Sequence, residues 1–489
     1  MEILSIAFLL FVMAGVIFYY IVPKSWQWKV LLLWSVFFYL SASAKAVMFL
    51  TISVLTTYYA GIWIETREQN KKTILIITVL CNVLLFVFLK YVTIESGIFS
   101  WLLHKRGIEW DSAAFQGLIP MGISFYTLMA VGYVADIYHK KIEAEKNLAK
   151  YTLFLIFFPH ILQGPIGRYQ ELKTELFSVK NWNGRRCISG MELMIYGYFK
   201  KMVLADRAAI FVNQVYGNAD LAGGCEIYLA GILYSIQLYM DFSGCVDISR
   251  GVSQLYGIRL SENFNHPYFA VSVKDFWRRW HMTLSSWLRD YIYIPLGGNR
   301  HGSIAKYLNL LLTFSVSGIW HGKGLHFFVW GLLHAVYQIF GEILLPIRTW
   351  IKEKLQISDH TFGTKLLQVF ITFHLVNFAW IFFRIESVTG AWYMIRNMFT
   401  RMNPWAFFDQ SLYGFGLGAR DFTLLFLGIT GTFLIELIQY KKPAYLTKKF
   451  HEQHGCFRYG VVMFGIFSII IFGIYGMGYD PGEFIYGQF

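Results

Sequence analysis

The chain has 489 residues, of which 56% are hydrophobic and only 15% are charged. Soluble domains carry about 25% charged residues, and apolar runs long enough to cross a hydrocarbon layer of roughly 30 Å recur from end to end, so the composition indicates an all-α, polytopic membrane protein. The formal net charge of +13 needs no nucleic-acid partner, because the basic residues lie in short loops where the positive-inside rule and anionic headgroups account for them.

Apolar segments predict about eleven or twelve membrane-spanning helices. The first is expected to be a retained anchor helix, because no Lys or Arg precedes it and no A-x-A cleavage site follows. The second segment is expected to contain two elements, with a break around Ser41-Ala42-Ser43. In chain order the segments fall near residues 3–22, 30–63, 73–92, 115–138, 150–163, 188–213, 226–243, 305–320, 325–345, 366–383, 423–440 and 459–478.

Basic loops predict the orientation of these helices. Lys71-Lys72, the lysines between residues 140 and 150, and the run Lys441–Arg458 should face the cytoplasm, because positively charged loops are retained there. The last helix then runs outward and carries the tail GYDPGEFIYGQF to the external side. The loop at about 386–421 is a second candidate external segment.

Two aspartates, Asp241 and Asp247, stand at the end of an otherwise apolar segment. A carboxylate at the bilayer centre costs about 2.5–3.5 kcal/mol on insertion scales. One interpretation places both at the interface, where they cap a helix end or pair with Arg250. The other places them on a polar cavity, and the pattern leaves both open. Pro159 and Gly164-Pro165 also break an apolar segment, which is tolerated only where protein or water covers the freed backbone groups.

The segment 272–293 predicts one amphipathic helix that lies in the interface or re-enters the membrane. Ser272 followed by Asp275 forms a capping-box start, and Pro295 with Gly297-Gly298 ends the element. Helical spacing gives an apolar face and a polar face. The apolar face holds Trp277, Trp280, His281, Leu284, Leu288 and Tyr291, and the polar face holds Arg278, Arg279, Ser285 and Ser286.

His321 is the strongest candidate for chemistry. It follows Trp320 at the end of an apolar segment, between Gly318 and Gly322, which permit the close approach of other groups. An intramembrane ionisable residue indicates function, and imidazole titrates nearest neutral pH. A packed structural histidine is the alternative. His281 is equally consistent with a hydrogen bond that fixes its helix and with a chemical role.

The chain lacks several other signatures of sites. Its five cysteines form no CxxC pair and no histidine stands at zinc-finger spacing, so neither a disulfide framework nor a metal site is predicted. A serine nucleophile elbow, a P-loop, GxGxxG and HExxH are also missing. If the chain is an enzyme, a histidine acting as a base on a hydroxyl is the expected chemistry.

Six stretches carry the most distinctive residue combinations: QGPIGR (163–168), QLYMDFSGCVDIS (237–249), ENFNHPY (262–268), FWRRWHMTLSSWLRDYIYIPLGGNR (276–300), SGIWHG (317–322) and NFAWIFFR (377–384). Together they resemble the membrane-bound O-acyltransferase family, specifically its bacterial alginate, peptidoglycan and teichoic-acid branch. The resemblance covers nearly the whole chain as one domain, 1–489, with a core at about 115–385 and a C-terminal helix and tail at 459–489. One departure is Cys245-Val246, where the family more often has Tyr and a small hydroxyl residue.

The resemblance implies about eleven spans around a funnel, with His321 near its floor as the catalytic histidine and His281 as a second, supporting one. It implies no metal and no resident cofactor, but an activated acyl donor such as acetyl-CoA on the cytoplasmic side. Arginine suits the donor phosphates, because its planar fork donates two parallel hydrogen bonds. The expected substrate-binding residues are Arg278, Arg279, Arg289, Trp320, Asp241, Asp247 and Arg168.

The C-terminal residues FIYGQF (484–489) resemble the F-x-Y-x-x-F tail of the acetylation branch. A phenol can form a covalent ester, so the resemblance makes Tyr486 a catalytic candidate that accepts and relays the acyl group or docks the acceptor. The alternative is an aromatic anchor at the membrane interface.

These observations predict an O-acyltransferase of the inner (cytoplasmic) membrane, most simply an O-acetyltransferase that is surrounded by lipid and modifies an exported polysaccharide or peptidoglycan, directly or through a secreted SGNH-type partner. Two alternatives remain open: D-alanyl transfer to teichoic acid, and a passive lipid or polymer transporter. A structural subunit of an export complex fits less well, because many polar groups lie in apolar segments.

Overall fold

The computed structural model describes residues 3–91, 105–106, 120–161 and 163–475. Within these ranges the chain is helical and contains no β-strand. The α-helices are α1 (Ile6–Ile21), α2 (Gln27–Ser43), α3 (Val47–Thr66), α4 (Lys71–Tyr91), α5 (Ile123–Tyr138), α6 (Leu148–Ile156), α7 (Phe158–Ile161), α8 (Tyr169–Phe177), α9 (Gly184–Tyr198), α10 (Asp206–Gly217), α11 (Gly224–Leu255), α12 (Val273–Trp277), α13 (Met282–Leu288), α14 (Gly302–His321), α15 (Leu325–Ile343), α16 (Leu345–Lys354), α17 (Phe362–Arg384), α18 (Val388–Thr400), α19 (Ala419–Lys441), α20 (Tyr445–Glu452) and α21 (Gly455–Phe472).

Two π-helices and five short 3-10 helices complete the secondary structure of the described ranges. The π-helix Phe199–Ala205 joins α9 to α10, and the π-helix Arg289–Tyr293 follows α13 directly. The 3-10 helices are Lys24–Trp26, Ala44–Ala46, Pro267–Phe269, Pro404–Phe407 and Ser411–Phe415.

The helices follow the predicted apolar segments closely. The second segment is divided as predicted, with the 3-10 turn Ala44–Ala46 between α2 and α3. Six described helices, α3, α4, α11, α17, α19 and α21, are long and apolar enough to cross a bilayer, and α15 with α16, bent by 47°, adds a seventh if the pair is one span. The figure of eleven or twelve crossings stays a prediction, because the remaining helices counted toward it are shorter, interrupted or more polar.

The chain divides into two compact units. Unit 1 comprises Met1–Met194 and Ile248–Ser261, and unit 2 comprises Ile195–Asp247 and Glu262–Phe489. In unit 1 the predicted break at Pro159 is present, since α6 ends at Ile156 and α7 spans only four residues. The buried Ser35 hydroxyl accepts the Phe158 N–H at 3.1 Å, so protein covers a backbone group that the break exposes.

Unit 2 contains a large aromatic core to which α12, α15 and α17 contribute. Its largest fully buried side chains include Trp280, Trp330 and Trp380. The ring centroids of Trp330 and Trp380 lie 5.5 Å apart in a stacked arrangement, and those of Trp280 and Trp380 lie 5.3 Å apart. Aromatic pairs at these distances stabilise a core beyond their area of contact, so the segment around Trp280 is fixed against two long helices.

The predicted single helix over 272–293 is wrong, although its start is correct. Ser272 Oγ accepts the Asp275 N–H at 3.1 Å, as a capping residue does. The helix then stops at Trp277, and His281 adopts a left-handed conformation with φ +43° before α13 begins. The apolar and polar faces deduced from continuous helical spacing therefore do not exist as continuous faces.

The break is stabilised by the segment 262–266, which precedes it in the chain. Its backbone provides hydrogen-bond partners for backbone groups that the interrupted helix leaves without one. The Asn265 N–H donates to the Arg279 carbonyl, and the Met282 N–H donates to the Asn263 carbonyl, both at 2.9 Å. Asn263 Oδ1 also accepts from the N–H of Thr283 at 3.2 Å, as a capping side chain does. Periodicity missed the break because these partners lie outside the helix.

Helices α14 and α15 pack at very short range through glycines. A Cβ at Gly331 would stand 2.3 Å from the Phe314 carbonyl oxygen, and a Cβ at Gly318 would stand 2.4 Å from the Phe327 carbonyl oxygen. Small residues at a helix crossing let two backbones approach. The three residues between the helices, Gly322 to Gly324, make them antiparallel neighbours, so the position of His321 depends on this crossing.

We expect Gly331→Ala to lower the thermal stability of the detergent-solubilised protein, because the new Cβ meets backbone and the helices must separate; such overpacking costs about 1–3 kcal/mol. Gly341→Ala is the matched control on the same helix, since no atom lies within 4 Å of its Cβ position, and it should be neutral or stabilising by about 0.5–1 kcal/mol. Equal melting temperatures for the two variants would contradict the close crossing.

Candidate active site

His321 is the last residue of α14 and is 1% exposed. Its position at the helix C-terminus matters electrostatically, because the last carbonyls of a helix carry partial negative charge and favour a nearby cation. An imidazole that takes up a proton here gains a favourable interaction. The position therefore suits a base better than a position inside the helix would.

An aromatic box surrounds the His321 imidazole. The centroid of Trp330 lies 5.0 Å away and that of Phe383 5.4 Å away, both in edge-to-face geometry, and the ring of Trp320 lies at 4.8 Å. Apolar rings on three sides exclude water and lower the local dielectric, which strengthens electrostatic interactions within the site.

His281 is fully buried, and its hydrogen bonding identifies its tautomer. Its Nδ1 lies 3.2 Å from Asn263 Oδ1. The same Oδ1 accepts from the Thr283 N–H at 3.2 Å and from the Thr283 hydroxyl at 2.8 Å, so it is the acceptor atom of the amide. A neutral His281 must then carry its proton on Nδ1, which leaves the lone pair on Nε2.

Trp320 contacts both histidines. Its ring centroid lies 4.8 Å from that of His321 and 6.2 Å from that of His281. The broken segment 272–293 and the end of α14 thus meet at one indole, although His281 and His321 are 40 residues apart in the sequence. The structure thus brings together three predicted site residues, His281, Trp320 and His321.

The three arginines of the broken segment differ in their surroundings. Arg279 is engaged: its Nε donates to Asp275 Oδ2 at 3.0 Å, and its guanidinium lies 5.4 Å from the centre of the Tyr440 ring. Arg278 is exposed, and no hydrogen bond from its side chain to the part of the chain described here is present. Arg279 is therefore suited to holding α12 in place, and Arg278 to binding an external group.

Arg289 begins the π-helix after α13, and its side chain is 63% exposed. Its Nε donates to Asp290 Oδ1 at 2.8 Å. This hydrogen bond raises the pKa of Arg289 further above its usual range, so the group is a permanent cation. Arg278 and Arg289 thus place two exposed guanidinium groups on the broken segment 272–293.

Asp241 and Asp247 lie within α11 and not at its end, which corrects their predicted place at the end of an apolar span. Each pairs with a buried lysine of the π-helix Phe199–Ala205: Lys201 Nζ lies 2.7 Å from Asp241 Oδ1, and Lys200 Nζ lies 2.5 Å from Asp247 Oδ2. Lys201 also pairs with Asp206 at 2.8 Å. Lys200 and Lys201 form an adjacent pair of cations within the predicted apolar segment 188–213, and this pair was the signal that could have identified the ion pairs.

A partly buried carboxylate on another helix was also missed. Glu436 lies on the apolar helix α19 and accepts a hydrogen bond from the Tyr239 hydroxyl at 2.7 Å, while His266 Nδ1 lies 3.7 Å from its other oxygen. His266 has a left-handed backbone with φ +47°. A glutamate inside an otherwise apolar segment was the signal that could have identified this group.

The remaining predicted residues lie elsewhere. Arg168 belongs to unit 1, where it occupies the residue before α8. Tyr486 lies outside the described residues. In the ranges that the structure describes, no three His, Cys, Asp or Glu side chains come together in a way that could hold a metal ion.

Comparison with known proteins assigns the family. The family model described as MBOAT, membrane-bound O-acyltransferase family, matches residues 73–382. The chain is 32% identical over 406 residues to a peptidoglycan O-acetyltransferase of Helicobacter pylori, covering 77% of this chain and 73% of the relative. It is 31% identical over 396 residues to a probable alginate O-acetylase AlgI of Azotobacter vinelandii, covering 80% and 76%.

A more distant relative has a different stated activity. A teichoic acid D-alanyltransferase of Bacillus subtilis is 29% identical over 287 residues, covering 54% of this chain and 68% of the relative. Both kinds of relative carry out acyl transfer by name. The resemblance inferred from the six sequence stretches is thus confirmed: the chain is a multi-pass membrane acyltransferase and belongs to the membrane-bound O-acyltransferase family.

Proposed function

We propose that the protein is an O-acetyltransferase of the inner membrane that moves an acetyl group from acetyl-CoA to a hydroxyl of an exported polysaccharide or peptidoglycan. The observation that carries the proposal is the buried imidazole of His321, held at a helix C-terminus inside a box of aromatic rings. The relatives named for acetyl transfer match 77–80% of the chain, and the D-alanyltransferase matches 54%, which favours acetyl over D-alanyl transfer.

His321 acts as the base in this proposal. It removes the proton from the attacking hydroxyl as the oxygen forms a bond to the thioester carbonyl carbon. When the carbon–sulfur bond breaks, the departing thiolate takes the proton back from the imidazolium. The products are an ester and a free thiol, and the imidazole is neutral again. His281, whose Nδ1–H is directed to Asn263, supports the site through its contact with Trp320.

The exposed arginines are assigned to the donor. Arg278 and Arg289 belong to the same segment as Arg279, whose guanidinium lies 5.4 Å from the ring of Tyr440. Tyr440 precedes Lys441 and Lys442, which we expect at the cytoplasmic face. A coenzyme A donor carries phosphates that a guanidinium binds with two parallel hydrogen bonds.

Arg279 is not given this role, because Asp275, the Asn265 carbonyl and the Tyr440 ring engage its Nε, its Nη1 and its planar face. In Arg289 it is Nε that Asp290 engages, and its side chain is 63% exposed against 19% for Arg279.

Transfer of the acetyl group to the acceptor is assigned to the C-terminal tail. The basic residues Lys441, Lys442, Lys448 and Lys449 precede α21, so the positive-inside rule directs that helix outward. Tyr486 would accept the acetyl group as a phenyl ester and pass it to the exported polymer, either directly or through a secreted partner of the SGNH type. A passive transporter would need neither this ester nor a base at His321.

Replacing His321 tests the base. We expect His321→Ala and His321→Asn to lose at least about 10²-fold of acetyl transfer, since general base catalysis contributes about 10²–10⁴-fold, while membrane insertion is unchanged. His334→Asn is the matched control, because its imidazole is also buried and packs against Trp330 at 5.2 Å. The assignment is wrong if either His321 variant retains activity, or if His334→Asn abolishes transfer equally at normal abundance.

Lysine substitution tests the donor-binding arginines. In Arg278→Lys and Arg289→Lys the charge stays but the bidentate fork is lost, so the KM for acetyl-CoA should rise by about threefold to tenfold with little change in kcat. Arg279→Lys should instead lower thermal stability, because it weakens the bond to Asp275. Unchanged donor KM in the first two variants would make these arginines lipid anchors.

Tyr486→Phe tests the relay, because it removes one oxygen atom and keeps the ring. A relay requires the phenol and predicts loss of essentially all transfer to a saccharide; an aromatic anchor predicts nearly normal transfer. Mass spectrometry of the C-terminal peptide after incubation with acetyl-CoA should find one acetyl group on the wild-type tail and none on the variant. A fully active Tyr486→Phe protein would remove the relay from the proposal.

A further inference from the structure

The end of the last helix is tied to the π-helix region by a buried arginine. Arg207, the second residue of α10, is 6% exposed. Its Nη2 donates to the carbonyl oxygen of Phe472, the last residue of α21, at 2.6 Å, and its Nη1 lies 3.0 Å from Asp421 Oδ1 in the first turn of α19. The guanidinium satisfies one of the carbonyls that a helix C-terminus leaves without a partner and complements its partial negative charge.

A second, independent contact lies two residues further along the chain. The Ile474 N–H donates to the carbonyl of Met202, in the middle of the π-helix, at 3.1 Å. The Tyr475 hydroxyl then donates back to the Ile469 carbonyl at 2.8 Å. The chain therefore leaves α21 in a direction fixed by three hydrogen bonds. We call the contacts of Arg207 and Met202 with Phe472 and Ile474 the tail clamp.

The π-helix Phe199–Ala205, which contains Met202 of the tail clamp, is held in place by buried ion pairs. Lys200 and Lys201 are each 3% exposed and pair with aspartates of α11. Breaking a buried ion pair by removing one partner costs about 3–5 kcal/mol, because the other charge is left buried. The π-helix can therefore move relative to this part of α11 only at high cost. The ion pairs link the tail clamp to α11, which carries the stretch 237–249 of the family resemblance.

We propose that the tail clamp positions the root of the C-terminal tail for acyl transfer, and that Arg207 is a positioning residue for this step. The inference rests on the proposed function of the tail. Ten residues lie between Tyr475 and Tyr486, and a chain of that length spans at most about 33–36 Å. The place where the tail begins therefore limits the region that the phenol can reach, and it sets the effective concentration of the phenol there. In this account Asp241 and Asp247 support the clamp and do not bind substrate.

The experiment uses the full-length protein with acetyl-CoA as donor. Arg207→Gln removes the charge and the fork, and Arg207→Lys keeps the charge. A second design inserts two glycines between Gly473 and Ile474, which leaves Arg207 intact and shifts only the tail. The controls are Arg401→Gln, whose guanidinium also bonds a backbone carbonyl, that of Asp220, at 3.0 Å, and a two-glycine insertion in the exposed turn between Lys442 and Pro443.

Three activities separate positioning from general structural support. The first is acetylation of an N-acetylglucosamine pentamer, and the second is the acetyl ester on the C-terminal peptide. The third is release of coenzyme A thiol with ethylene glycol, a small diffusible acceptor that does not require delivery by the tail. Melting temperature is measured for every variant.

We expect Arg207→Gln and the insertion after Gly473 to lower saccharide acetylation and tail ester by at least about tenfold. Thiol release with ethylene glycol should stay close to the control variants in both, and the insertion variant should also keep the melting temperature of its control. Arg207→Gln should melt at a lower temperature, because it removes the buried partner of Asp421, and Arg207→Lys should be intermediate in saccharide acetylation. Wild-type saccharide acetylation in Arg207→Gln would overturn the proposal. So would an equal fall in all three activities together with the melting temperature, because Arg207 would then be a general structural residue.

The outcomes for the relay and for the clamp are distinguishable. If Tyr486→Phe is active while Arg207→Gln still loses saccharide acetylation selectively, the relay is wrong but the clamp stands, since the tail then positions the acceptor without carrying the acetyl group. If His321→Asn is active, the proposed chemistry fails whatever the Arg207 variants show.

Discussion

The cost of burying charge is the constraint on which unit 2 depends. Lys200 and Lys201 stand on a π-helix inside an otherwise apolar region and are almost fully buried. The penalty for removing an ion from water is several kcal/mol even after relaxation, so each lysine requires a carboxylate at close range. Asp241, Asp247 and Asp206 provide them. This requirement fixes the π-helix against α11. Helix α10, which contains Arg207, comes directly after that π-helix in the chain.

The same reasoning applies to backbone groups where helices are interrupted. In an apolar environment every N–H and carbonyl needs a partner within the protein. In unit 2 the segment 262–266 provides partners at the break around His281, and in unit 1 Ser35 provides one at Pro159. An irregular segment at such a place is therefore stable only together with the second segment that satisfies it. Substitution of Asn263 would affect the histidine as well as the backbone, because one oxygen serves both.

The hydropathy of the sequence predicted the helices because a segment that crosses the bilayer must be apolar. A span must be apolar over its whole length, so the signal is local, and the bounds of α14, α15 and α17 agree with the sequence to within a few residues. The break at His281 could not be predicted in this way. It depends on Asn263 and Asn265, which lie 18 and 16 residues upstream and have no periodic relation to the helix. The pairs of Lys201 with Asp241 and of Lys200 with Asp247 likewise join residues 40 and 47 positions apart.

The sequence predicted which residues belong to the candidate site, but it did not predict the contacts that distinguish them. The sequence separates His321 from His281 only by its flanking glycines and by the family resemblance, and it shows no contact of either imidazole. The structure distinguishes them, because the Nδ1–H of His281 is directed to an amide oxygen that also caps α13, whereas His321 ends a helix and is enclosed by three aromatic rings. A base for acyl transfer must accept a proton and must also keep water from competing with the acceptor hydroxyl. In the proposed mechanism the aromatic enclosure of His321 meets the second need, and His281, fixed by its bond to Asn263, is assigned the support of Trp320.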